Sequence, residues 1–327
     1  MKTPSRALLA SSLCALLTLS ACSSTAEESD TTAADAISVE NCGATVTFDS
    51  VPERVTLINN PSVPTLAELG VLDRVTAKAG LYPEEYYAPE VVAQLDQIDT
   101  LTDQVDATGH LQISRETVVA TSPDLVIGRS DTVNRQTLEG SNIRLLDEPA
   151  FCGSLEGELT YDDAYDQVRL YGKVFGKSEE AEDYIKELAQ RVEKITAGIP
   201  AGEERTVAVL YPAVGSAITY AYGMSSMSHP LVTAAGLKNV FADESERVFE
   251  VTTEELINRN PDIIITLYST GEPGPVVDAV AQLPGANSLT AVQNQMIYPM
   301  LLGFAEPPSP LAVDGLEKVA AFLEQTR

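Results

Sequence analysis

Two stretches of this chain are built on one frame. Ile113-Ser-Arg-Glu-Thr-Val-Val-Ala-Thr-Ser-Pro-Asp-Leu-Val-Ile127 and Val251-Thr-Thr-Glu-Glu-Leu-Ile-Asn-Arg-Asn-Pro-Asp-Ile-Ile-Ile265 share Ser/Thr-x-Glu, six residues, Pro-Asp and an apolar run. Ser114 and Thr252 are suited to cap a helix, Glu116 and Glu254 favour its positive end, and Pro123 or Pro261 stops it before a buried strand. Such units also arise by convergence, so duplication and coincidence both stay open. Around each frame, short apolar runs alternate with amphipathic stretches: Val55 to Ile58, Val63 to Leu69, Val75 to Ala79 and Ile143 to Leu146 in the first half. Thr206 to Leu210, Ile218 to Tyr222, Pro230 to Ala235 and Met296 to Tyr298 follow in the second. Strand, helix, strand repeated twice predicts an α/β fold of two lobes with mainly parallel sheets.

Between the halves, Ala181, Tyr184, Ile185, Leu188, Ala189, Val192 and Ile195 recur at spacings of three and four. They predict one helix over 178–199, capped by Ser178 and stopped by Gly198 and Pro200. At 1.5 Å per residue it is about 30 Å long, enough to run the length of a small domain. As a connector it allows lobes to tilt rather than swing wide; a surface helix of a single α/β domain is the alternative. The expected organisation is 1–21 export signal, 22–40 tether, 41–177 first lobe, 178–199 connecting helix and 200–327 second lobe.

Lys2 and Arg6 precede an apolar run, Ala7 to Leu19, too short for a stable membrane anchor, which reads as an export signal. Leu19-Ser-Ala-Cys22 resembles the lipobox of bacterial lipoproteins. That resemblance implies cleavage before Cys22 and lipidation of its thiol, an ordinary signal with an incidental cysteine being the other reading. The polar run Ser23 to Asp35 suits a tether. Cys14 leaves with the signal, so Cys42 and Cys152 remain in an oxidising compartment. One disulfide is expected between them, closing a loop of roughly 110 residues and worth about 4 to 5 kcal/mol in the chain-entropy model; two separately buried thiols are the alternative.

Composition narrows the chemistry. With 21 Lys plus Arg against 48 Asp plus Glu, the formal charge of −27 repels phosphate backbones, so no nucleic-acid partner is expected. His110 and His229 are the only histidines, too few for a three-histidine metal cage. The Ser-rich stretch from Gly223 to His229 lacks a Gly-x-Ser-x-Gly elbow, and Gly271 to Gly274 lacks the spacing of a phosphate loop. No enzyme and no cofactor are expected.

Pro52-Glu-Arg-Val55, Leu66-Ala-Glu-Leu-Gly-Val-Leu-Asp-Arg-Val75, both Pro-Asp segments, Tyr171-Gly-Lys-Val-Phe-Gly176 and Ala235-Gly-Leu-Lys-Asn-Val-Phe241 carry a further resemblance. In order and spacing the chain resembles the substrate-binding proteins of ABC importers for ferric siderophores, haem and cobalamin, the group with a rigid interlobe helix. The Asn41-Cys-Gly43 start and Cys152 are similar to actinobacterial iron-siderophore members. The resemblance implies two Rossmann-like lobes with a ligand cleft between them, and a lipid-anchored extracytoplasmic receptor that hands its ligand to an ABC permease dimer. It also places Glu116 and Glu254 as the acids that dock into arginines of the two permease subunits, although helix-end electrostatics alone would account for both. A monomer is expected.

Ligands of open α/β sheets gather beyond the carboxyl ends of the strands. The candidates there are Asn59, Asn60, Tyr82, Tyr86, Tyr87, His110 and Arg129 in the first lobe. The second offers Tyr211, Tyr220, Tyr222, Met224, His229, Arg247, Tyr268 and Phe304. Tyrosine joins an apolar face to a hydroxyl, which suits a bulky amphipathic chelate, and arginine's fork matches chelate oxygens. Each tyrosine could equally be structural, each arginine a surface ion pair, and each histidine a helix-start residue rather than an axial haem ligand. A ferric siderophore ranks first, haem second and cobalamin third.

Overall fold

The computed structural model describes residues 36–106, 110–200, 202, 204–216 and 218–326. The export signal, Cys22 and most of the tether lie outside them. Two strands open the chain, β1 (Ile37–Asn41) and β2 (Ala44–Phe48), paired as an antiparallel hairpin. Thus β1 takes up residues 37–40, which the sequence reading gave to the tether. Val39 points into the core, and Asn41 exchanges hydrogen bonds with Asp147 (Nδ2 to its carbonyl 2.9 Å, Oδ1 from its N–H 2.7 Å), so this stretch belongs to the first lobe.

The first sheet follows from β3 (Val55–Leu57), helix α1 (Val63–Glu68), β4 (Val75–Ala79), α2 (Pro89–Leu95), β5 (Asp99–Thr102), α3 (Arg115–Ala120), β6 (Leu125–Ile127) and β7 (Arg144–Leu146). Its five strands lie in the order β5-β4-β3-β6-β7 and every pair is parallel. The chain leaves β3 toward β4 on one side and returns to β6 on the other, which makes the carboxyl ends of β3 and β6 the switch point. A short helix α4 (Pro149–Cys152) precedes α5 (Tyr161–Val174) and the long α6 (Ser178–Gly198). The Cys42–Cys152 disulfide fixes α4 to the opening hairpin, with Cα atoms 5.9 Å apart.

Helix α6 spans the predicted range, but Lys177 rather than Ser178 is its N-cap, and Ser178 is the first helical residue. The chain turns so tightly out of α5 that the Lys177 N–H reaches the Gly172 carbonyl at 2.7 Å, which starts the helix before a serine cap is needed. Ala181, Ile185 and Leu188 join the first lobe's core, while Val192 and Ile195 pack on the second's.

The second lobe comprises β8 (Thr206–Pro212), β9 (Thr219–Tyr222), α7 (Ser228–Ala234), β10 (Lys238–Asn239), β11 (Val248–Glu250), α8 (Thr253–Arg259) and β12 (Ile263–Tyr268). It continues through α9 (Gly274–Ala281), α10 (Thr290–Gln293), β13 (Ile297–Leu301) and α11 (Leu311–Gln325). Here β8, β12 and β13 are parallel, β9 and β11 run antiparallel, and β10 pairs in parallel beside the start of β8. Only a short turn joins β8 to β9, too few residues for the crossover a parallel pair requires. Arg191 on α6 clamps Asp314 at 2.5 Å and Glu317 at 2.9 Å on α11, so the connector is held to the second lobe as well.

The shared frame folds as the sequence predicts. The Ser114 hydroxyl accepts from the Thr117 N–H at 3.2 Å and Thr252 from Glu255 at 3.1 Å, and Glu116 and Glu254 stand exposed in the first turns of α3 and α8.

Candidate functional site

At the switch point Gly128 ends β6 with φ of +98°, and a Cβ there would come within 2.6 Å of the Asn59 side chain. Only glycine lets the two strand ends approach so closely. Asn60 and Tyr82 are spent on this junction. The Asn60 amide donates to the Leu81 carbonyl at 2.8 Å, and the Tyr82 hydroxyl donates to the carbonyls of Asn59 at 3.1 Å and Ala79 at 3.2 Å. Both brace the loops of β3 and β4 against each other.

Tyr86 reaches across. Its hydroxyl accepts from the Gly303 N–H of the second lobe at 2.7 Å, and its ring meets Phe304 edge-on at 4.9 Å and Tyr87 at 5.9 Å. A side chain on Gly303 would collide with that ring. Burial pushes the Tyr86 phenol above the ordinary range, against the pull of the Gly303 N–H, with smaller contributions from nearby Tyr268, Glu85 and Tyr211. Tyr211 pairs with Tyr220 across β8 and β9, and its hydroxyl shares a hydrogen bond with Ser269 at 3.1 Å. Tyr222 is buried beside Glu306 and Arg247.

A second bridge runs between the arginines. Arg129 lies 3.8 Å from the Asp147 carboxylate and donates to the Phe151 carbonyl at 3.2 Å. The Phe151 ring, 43% exposed, carries the Arg247 guanidinium of the other lobe on its face at 5.6 Å. Arg247 in turn bonds Glu306 at 2.9 Å, and the same carboxylate accepts from the N–H groups of Met227 at 2.5 Å and Ser228 at 3.4 Å. Beneath them Glu148 is fully buried. Burial, then Asp147, then Glu306 push its carboxyl up to about 8, against smaller opposing pulls from the Ala150 N–H and Arg247. Burial also raises Asp147 and Glu306, each held down in part by its arginine.

The structure therefore gathers Tyr86, Tyr87, Tyr211, Tyr222, Tyr268, Phe304, Arg129 and Arg247, with Tyr220 alongside. His110 is exposed in the loop between β5 and α3, with its ring 3.7 Å from Asp106 and its backbone N–H donating to the Asp106 carboxylate at 3.0 Å. His229 is buried, its Nε2 3.2 Å from Glu158 and its Nδ1 3.4 Å from the Asn239 amide, and Met224 ties its backbone to Glu244 and Leu159. Sequence reasoning missed Asp147, Glu148, Phe151, Gly303 and Glu306. The strand-end rule applied to β7 points straight at Asp147-Glu148, and Glu306-Pro307-Pro308 follows β13 in the same way. Among the described residues no group of three or more His, Cys, Asp or Glu side chains is placed to hold a metal ion, and no helix is long and apolar enough to cross a membrane.

Two α/β lobes, a single connecting helix and a junction of tyrosines and arginines at strand ends define a two-lobed solute receptor. The sequence matches the periplasmic binding protein family over residues 55–300, and the chain belongs to that family. A crystal structure of an ABC-type Fe3+-hydroxamate transport system from Saccharomonospora viridis is similar at 44% identity and a TM-score of 0.84, covering 88% of this chain and 98% of that one. The haem-binding protein RhuT from Roseiflexus shares the fold at 18% identity and a TM-score of 0.66, covering 84% and 99%. A cobalamin-binding protein of Halobacterium salinarum is 23% identical over 290 residues, 86% of this chain and 72% of that protein. The family is one of extracytoplasmic substrate-binding proteins that serve ABC transporters, so the chain is a receptor and not an enzyme.

Proposed function

We propose that this protein captures a ferric siderophore outside the cytoplasm and delivers it to an ABC permease, anchored through a lipid on Cys22 and acting as a monomer. The observation that carries the reading is the convergence of phenols, apolar faces and guanidinium groups from both lobes around Tyr86–Gly303 and Phe151–Arg247. Val214 and Ile218, exposed in the β8–β9 turn beside Tyr211 and Tyr220, extend it with apolar surface for the organic body of a chelate. The 44% identity to the Fe3+-hydroxamate protein supports hydroxamate chemistry in particular. Cobalamin is the second reading, favoured by the Halobacterium relative. Haem ranks lower, since the buried His229 ring already faces Glu158 and the Asn239 amide.

Because the chain has 12 tyrosines and no tryptophan, tyrosine quenching reports binding directly. Titration with a ferric trihydroxamate, haemin and cobalamin should give saturable quenching with the trihydroxamate; saturation by cobalamin alone sinks the reading. Replacing Glu116 and Glu254 together by alanine should abolish iron uptake in cells while leaving ligand affinity within about twofold, because exposed charges on equivalent helices act on the partner. Undiminished uptake would remove the docking role.

A further inference from the structure

Residues 223–229 of the second lobe support both bridges that cross the junction. The Met227 and Ser228 N–H groups bind Glu306, and Glu306 holds Arg247 over the Phe151 ring. The Ser228 hydroxyl donates to the Ala305 carbonyl at 3.4 Å, in the turn that brings Gly303 and Phe304 to Tyr86. The same stretch also grips the first lobe directly. The Met224 carbonyl accepts from the Leu159 N–H at 3.2 Å, the Ser225 hydroxyl donates to the Gly157 carbonyl, and the His229 ring meets the Glu158 carboxylate at 3.2 Å. Gly157 turns in the left-handed region, with φ of +77°, which glycine enters without steric cost.

These contacts fall on three consecutive residues of a segment anchored at both ends. Upstream, the Cys42–Cys152 disulfide pins it next to Phe151. Downstream, a capping box starts α5, the Thr160 N–H donating to the Asp163 carboxylate at 2.8 Å. His229 has a fixed orientation. Asn239 donates to the Tyr222 carbonyl at 3.2 Å and accepts from the Phe241 N–H at 3.0 Å, which points its NH2 group at Nδ1 and leaves Nε2 to donate to Glu158. We propose that residues 157–159 are a clasp between the lobes. Glu158 and His229 are its positioning residues; they set the cleft angle and, resting on the siderophore reading, the residence time of the bound chelate. Opening the clasp frees one side of the 223–229 stretch and so loosens both bridges that the stretch supports.

The Glu158 side chain is 64% exposed, so Glu158→Ala removes the acceptor without opening the core. Hydrogen exchange of the ligand-free mature protein reads the clasp at the Leu159 amide and the cleft at the Gly303 amide, which Tyr86 holds across the junction. Expected in Glu158→Ala are rates about fivefold faster at Leu159 and about threefold faster at Gly303, with the Gly128 amide inside the first lobe unchanged. A ferric trihydroxamate, followed by stopped-flow tyrosine fluorescence, should leave about threefold faster. Glu158→Gln, whose amide oxygen still accepts from Nε2, should restore all of these rates to within about twofold. A faster Leu159 amide beside an unmoved Gly303 amide would make the contact a local brace and overturn the clasp. Unchanged dissociation with both amides quickened would overturn its hold on residence time. If both amides quicken and the ferric trihydroxamate binds neither wild type nor variant, the clasp stands and the siderophore reading falls.

Discussion

The two lobes supply an acid each to their shared junction, and they treat it in opposite ways. Glu306 of the second lobe has an arginine on one oxygen and two backbone N–H donors on the other. Glu148 of the first lobe is equally buried, yet its neighbours include the acids Asp147 and Glu306, and one of its oxygens has no partner in the protein. The sheets differ in the same sense. Strands of three residues form most of the first lobe's sheet around the switch point, whereas β8 and β12 give the second a longer, mostly buried spine. One lobe presents a satisfied, rigid half of the site. The other stores electrostatic tension that a ligand or a proton can relieve.

Removing one arginine from each lobe is the hardest test of that contrast. Arg247→Met leaves Glu306 buried without its counter-charge, which should cost about 3 to 5 kcal/mol. Arg129→Met removes a partner that is a third exposed and 3.8 Å from Asp147, with Arg135 still nearby, so about 1 kcal/mol is expected. Urea unfolding of both variants measures the difference, and equal losses would erase the distinction between the lobes.

Glu148 should make stability depend on pH. Its carboxyl holds a proton more tightly folded, at about 8, than at the ordinary 4.5 of an unfolded chain. The contribution is therefore complete below about 4.5 and is lost as pH rises through 8. The groups facing it are Asp147, Glu306, Arg247, Tyr171 and the Ala150 N–H, and none is expected to reverse that sign. Thermal midpoints of the wild type should fall between pH 5 and 8 relative to those of Glu148→Gln. Glu306→Gln should flatten the profile less, because Arg247 tempers the shift there. Parallel profiles for wild type and Glu148→Gln would show that Glu148 titrates normally.

Much of this was legible in the sequence. Capped helices, Pro-Asp stops and apolar strands are local signals, so α3, α8, β6, β12 and the connecting helix stand where spacing puts them. The Cys42–Cys152 disulfide agrees with the expectation that these two thiols would pair, for which two separately buried thiols were the alternative. What escaped was non-local. That Tyr82 stays within the first lobe, bonded to the Asn59 carbonyl, while Tyr86, four residues on, crosses to Gly303 depends on how two lobes meet, and no periodicity encodes it. The neutralisation of Arg247 by Glu306 joins residues 59 positions apart for the same reason. Beyond their place after a strand, Asp147, Glu148 and Glu306 carry no local pattern that sets them apart among 48 acidic residues.

The smallest effect should come from the one hydroxyl that spans the junction. Tyr86→Phe keeps the ring against Phe304 but leaves the buried Gly303 N–H without an acceptor, at about 1 kcal/mol. Because that bond joins the lobes rather than supporting either, its loss should appear locally. Hydrogen exchange at the Gly303 amide should quicken about fivefold or more, while the Gly128 amide, bonded to the Leu146 carbonyl at 2.8 Å within the first lobe, keeps its rate. Equal acceleration at both amides would mean that the lobes open as one cooperative unit, and the contrast between a satisfied half and a tense one would then describe side chains alone, without a difference in how the two halves move.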